Sequence, residues 1–162
     1  MRQRGFSLIE LLMVVAIILI VAAIAIPDMM RARLSAHEAA AVSSVRTITT
    51  AEAGYLTAYP SIGYAAQLSD LGAGGATPCA PSDTSACFID DSLATASSAP
   101  GRSGYIYAAT GTVGTFLVTA VPVSNASGER SFCEVADNVP RVNPAGTAIA
   151  DIGACLGLQS VN

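Results

Sequence analysis

The chain has no lysine and a single histidine, and its eight arginines are scattered without forming a basic patch. Its formal charge of −4 becomes −6 when Arg2 and Arg4 are left out of the count. That balance speaks against nonspecific nucleic-acid binding, which needs basic surface. Catalytic groupings are equally scarce. The one histidine, His37, falls on a predicted helix beside Glu38, where a lone imidazole is a surface residue; there is no Ser/His/Asp grouping and no glycine pattern that cradles phosphate. The four cysteines, Cys79, Cys87, Cys133 and Cys155, lack the Cys-x-x-Cys and Cys-x-x-Cys-His spacings of zinc and haem sites. Asp83, Asp90 and Asp91 share a loop but fit no EF-hand spacing, so they read as solvated charge rather than a calcium site. No enzyme activity, cofactor or metal is expected.

Long apolar runs, by contrast, are present. Apolar residues make up 52% of the chain and charged ones 12%, and much of that excess lies in the first 26 residues and the many alanines. The remainder has an ordinary soluble composition, and 162 residues suit one globular domain with a helical anchor. The run over residues 11–26 extends a stretch that begins near Gly5 and is closed by Pro27. About 20 helical residues cross a hydrocarbon core of about 30 Å. Arg2 and Arg4 before the span place the N-terminus on the cytoplasmic side, and the span is too long for a secretory signal and lacks a small-residue cleavage site at its far end. One residue departs from this pattern. Glu10 lies inside the span, where an acidic group costs on the order of 2.5 to 3.5 kcal/mol, so it requires a partner or a task.

Taken together, Arg2, Arg4, Gly5, Phe6, Ser7, Leu8, Ile9, Glu10, Leu11 and Leu12 resemble the leader and processing site of a type IV prepilin. The resemblance implies that a prepilin peptidase cleaves after Gly5 on the cytoplasmic side and methylates the new Phe6 amine. Residues 1–5 would then be a leader and residues 6–27 a transmembrane and filament-core helix. It also implies a subunit that waits in the inner membrane, meets the pilus assembly machinery, and polymerises with itself into an extracellular filament. A positively charged Phe6 amine buried among apolar helices calls for a counter-ion, and Glu10 of a neighbouring, staggered copy supplies one and fixes the axial register. Where the family often has a glycine midway along the apolar run this chain has Leu19, which leaves Pro27 as the main source of any local kink or melting.

Beyond Pro27 the helix is predicted to continue over residues 28–59. Leu34, Ala41, Val45, Ile48, Tyr55 and Tyr59 recur at steps of three, four or seven, and Arg33, His37, Ser44 and Thr47 mark the opposite side. Tyr55 and Tyr59 are packing residues, since no redox motif accompanies them. Pro60 opens a loop over residues 60–103, rich in glycine, serine, proline and aspartate, with one short helical turn. The serines within 92–98 and the sequon at Asn125 read as polar surface rather than as glycosylation sites. Residues 104–162 supply strands at 105–108, 115–121 and 130–135, joined by turns at 110–114 and 127–128, before Pro140 and Pro144 break the pattern. These make a three-stranded antiparallel meander whose apolar face the helix covers. The expected class is therefore α+β and type IV pilin-like. Three cysteine pairings are possible; Cys79 with Cys87 and Cys133 with Cys155 are favoured, because the first brackets a polar loop and the second encloses the tail. By the loop-entropy relation they stabilise by roughly 2.5 and 3.5 kcal/mol.

The reading is a structural subunit of a type IV pilus serving adhesion, motility or surface attachment. Its alternatives are a pseudopilin or minor pilin of a type II secretion or DNA-uptake system, and a membrane-anchored extracellular binding domain. Processing provides the first test. N-terminal mass analysis of the mature protein is expected to start at Phe6 with an added methyl group, and replacing Gly5 by a bulky residue is expected to leave uncleaved precursor in the membrane.

Overall fold

The computed structural model describes residues 7–161, and the chain divides into two compact units, one ending at Arg33 and the other beginning at Leu34. Helix α1 (Leu8–Ala58) contributes to both. Pro27 lies inside it and has no N–H to offer the carbonyl one turn back. The helix ends where Tyr59 N donates to Tyr55 O at 2.8 Å and Pro60 follows.

In the second unit α1 buries one stripe: Glu38, Ala41, Val45, Ile48, Glu52 and Tyr55, alternating steps of three and four. The stripe packs on a sheet of five antiparallel strands in sequence order, β1 (Tyr105–Gly111), β2 (Phe116–Pro122), β3 (Ser131–Val135), β4 (Arg141–Asn143) and β5 (Gln159–Ser160). Register places Tyr107 opposite Ala120 and Ala109 opposite Val118, so Tyr105, Tyr107, Ala109, Phe116, Val118, Ala120 and Phe132 share the face that meets the helix.

The three-stranded expectation is corrected to five. Pro140 and Pro144 stand just outside β4, whose Val142 pairs with Phe132 on one side and Gln159 on the other, and the Pro140 carbonyl still accepts from Val161 N at 2.8 Å. A proline beside a strand removes no ladder hydrogen bond within it. Likewise β1 runs on to Gly111, past the expected turn at Thr110. The β2–β3 turn explains Gly128. Tyr105 Oη donates to Arg130 O at 2.9 Å directly over it, and a Cβ there would lie 2.0 Å from that hydroxyl.

Residues 60–103 carry two short helical turns rather than one, a 3-10 turn (Leu68–Leu71) and α2 (Asp91–Ala94). Leu68, Leu71, Ile89 and Leu93 reach the main core from them. The opposite face of the sheet is also covered. Leu117, Cys133 and Val135 pack under the tail residues Ile149, Ile152, Cys155 and Leu158, with α3 (Ile152–Leu156) fixed by its Asp151 cap. Two disulfides, Cys79–Cys87 and Cys133–Cys155, close the polar loop and the tail.

Four carboxylates, Glu38, Glu52, Asp70 and Glu134, lie in this interior. Burial alone would push Glu38 up, but Arg130 and the N–H groups of Glu129 and Arg130 outweigh it and hold Glu38 below the usual range. Burial pushes Glu134 up against the pull of Arg46. Glu52 is fully buried, accepts one bond from Ala65 N at 2.9 Å, and is pushed up to about 7, chiefly by burial and further by Asp70.

A pH dependence follows for Glu52. Its folded value stands above the ordinary 4.5, so the folded state holds the extra proton between about pH 4.5 and 7. Stability from this group is complete below that window, declines across it, and levels off above about 7. The full change is on the order of 3 kcal/mol, at about 1.4 kcal/mol per pKa unit. Thermal unfolding of the detergent-solubilised full chain is expected to show this fall between pH 5 and 7, and Glu52→Gln to flatten most of it, leaving the smaller slope from Glu134.

Candidate assembly site

Within the first unit, α1 is apolar on every side. Fourteen large apolar side chains between residues 8 and 26 are exposed, among them Leu8 at 79%, Leu19 at 63% and Ile24 at 68%. The most apolar 18-residue window has a mean hydropathy of 3.1, and none of it is buried. Covering side chains of this size is worth about 1.5–3 kcal/mol each, on the order of 20 to 40 kcal/mol for the set. That exceeds the roughly 5–15 kcal/mol net stability of a typical domain, so this surface has to be covered by lipid or by other protein.

Glu10 is the one ionisable side chain between residues 8 and 26. It lies in the first turn of α1, with its N–H donating to Ser7 O at 3.1 Å. The positive end of the helix dipole favours a carboxylate there by about 0.3–1 kcal/mol. That is less than the cost of about 2.5 to 3.5 kcal/mol for placing a carboxylate in hydrocarbon. Gly5 and Phe6, the expected cleavage position and methylated amine, lie outside the described residues.

The other side chains singled out from sequence have local structural tasks. His37 Nδ1 lies 2.8 Å from Ser103 O, which ties α1 to the start of the sheet rather than leaving the ring in solvent. Asp90 caps α2, accepting from Leu93 N at 3.0 Å and from Arg102 at 2.8 Å; its hydrogen bond from Ser92, with Arg102, holds its carboxyl below the usual range. Asp91 accepts from Ala73 N and Gly75 N, and the Asp83 carbonyl accepts from Tyr55 Oη at 2.6 Å. Tyr55 and Tyr59 stack with ring centroids 4.8 Å apart. Among the described residues no group of three His, Cys, Asp or Glu converges as a metal site.

Glu38 and Arg130 are the pair that sequence reading missed. Arg130 Nε donates to Glu38 Oε2 at 2.9 Å, and Glu129 N donates to Oε1 at 3.3 Å, linking α1 to the two residues that lead into β3, 91 and 92 positions away. The available signal was the position of Glu38, three residues before Ala41 on the buried stripe.

Residues 1–26 match the family described as the prokaryotic N-terminal methylation motif. The chain carries the processing signature of prokaryotic prepilins. Over 56 residues this pilin-like chain is 41% identical to the type IV major pilin protein PilA of Myxococcus xanthus (strain DK1622). The alignment covers 35% of this chain, and the chain spans about a quarter, 26%, of the length of that curated relative. No solved structure matches. The motif and the all-apolar helix coincide in the sequence, and the domain that follows is a helix packed on an antiparallel sheet, a pilin-like α+β fold.

Because Glu10 belongs to the first unit and is not among the core residues of the second, its replacement tests assembly apart from the folding of that core. Glu10→Ala is expected to insert in the membrane and to be processed normally, yet to yield little polymer in the sheared fraction. Glu10→Gln is expected to behave almost as badly, since it keeps the shape but loses the charge. Abundant polymer from processed Glu10→Ala would show that apolar packing alone sets the register.

Proposed function

We propose that the chain is the structural subunit of an extracellular type IV pilus, held in the inner membrane as a precursor and polymerised after its leader is removed. The observation that carries this reading is the exposed, all-apolar helix with its single carboxylate, which lies within the match to the methylation motif. In this reading residues 6–27 form the filament core, residues 28–59 the helix that supports the outer domain, and residues 60–103 and 104–162 the loop and sheet at the filament surface. Prepilin peptidase and the pilus assembly machinery are its processing and assembly partners. Glu10 of an incoming copy neutralises the Phe6 amine of the copy already seated, because an unpaired charge buried there costs several kcal/mol. The role is structural rather than catalytic, and adhesion, motility or surface attachment is what such a filament serves.

Electron microscopy of sheared surface material with mass spectrometry of its subunit tests the proposal. Filaments composed mainly of this chain are expected. A trace component among filaments of another subunit would mark a minor pilin or pseudopilin, and membrane-bound monomer without filaments would mark an anchored binding domain.

A further inference from the structure

Immediately after the apolar run come Asp28, Arg31 and Arg33, all exposed, and none is in a salt bridge among the described residues. With Glu10 they are the charges that bracket the apolar segment. We infer that Asp28 of one copy pairs with Arg31 or Arg33 of a second, parallel copy, forming an ionic clasp at the opposite end of the apolar helix from Glu10. This rests on the filament reading.

The inference comes from register. If Glu10 of an incoming copy lies level with position 6 of the seated one, residue n of the seated helix stands beside residue n+4 of the incoming helix, a shift of about 6 Å at 1.5 Å per residue. Applied to Asp28, the same shift reaches position 32, with Arg31 and Arg33 directly on either side. At 3.6 residues per turn those two arginines project about 200° apart, so one or the other faces a neighbour packed on either side of the helix. An unshifted register fails on the same charges. Without a shift, Asp28 faces Asp28 and arginine faces arginine. An acidic residue followed three and five positions later by basic ones is thus self-complementary at a stagger of three to five residues, which includes the stagger of four that serves Glu10. Such a contact is heterologous and does not close, which is what an open polymer needs.

The rival role is pairing within one helix, where Asp28 and Arg31 stand three apart. Two complementary variants of the full chain separate the roles. One carries Asp28→Arg, leaving three basic residues; the other carries Arg31→Asp with Arg33→Asp, leaving three acidic ones. Alone, each is expected to be processed at Gly5 but to lose at least about tenfold in sheared polymer, because like charges meet at every contact. Co-expressed, they are expected to restore polymer containing both chains in similar amounts, since each variant's altered site now meets its opposite in the other. Pairing within a helix would not be rescued by mixing, because each chain keeps its own like-charged set. Cleavage at Gly5 checks that the added charges have not reversed membrane orientation. Wild-type levels of polymer from either variant alone, or no rescue from two processed variants, would overturn the inference. Absence of polymer from the unaltered chain would overturn the filament reading instead.

Discussion

A helix that is apolar around its whole circumference cannot be satisfied by the chain that carries it. An amphipathic helix buries its stripe on its own domain, as α1 does from Glu38 to Tyr55. The stretch before Pro27 has no polar face to turn outward and no partner within the described residues, so its stability is borrowed from whatever surrounds it. Lipid and a bundle of identical helices are both apolar, so moving between them changes little in hydrophobic energy. In a bundle of such helices, the choice between registers would fall to the few charged groups at the margins of the apolar run.

The second unit is arranged so that this dependence does not extend to it. Its sheet is covered on both faces, by α1 on one and by the disulfide-closed tail on the other, and β2 is buried on both sides in consequence. Ion pairs and caps hold the connections: Glu38 with Arg130 ties the helix to β3, and Asp90 and Asp91 order the loop.

Much of this was legible in the sequence because the signals were periodic. The apolar run, the stripe at Ala41, Val45, Ile48 and Tyr55, and the β-branched strands each repeat a geometry along several residues. The parts that were missed are short or carry a signal of the opposite sign. Strands β4 and β5 have three and two residues, too few to show alternation, and they exist because β3 offers an edge for them. Glu52 and Glu134 read as solvent-facing by residue type, yet sit in the interior because their neighbours on the same face are apolar. The Glu38–Arg130 pair joins residues far apart in sequence, and no local pattern announces it. Gly5 and Phe6, which motif alone identified, lie outside the described residues.

The tail-covered face of the sheet makes the domain sensitive to its redox surroundings. Cys133 and Cys155 join β3 to α3 across 22 positions, and Leu117 and Val135 lie beneath that closure. In a reducing compartment the link cannot form, the tail is held by its few apolar contacts alone, and a strip of β2 and β3 becomes available to other chains as an aggregation surface. A chain of this design is safest where oxidising conditions let the link form as soon as the tail closes, so that redox surroundings, as well as sequence, protect the folded domain.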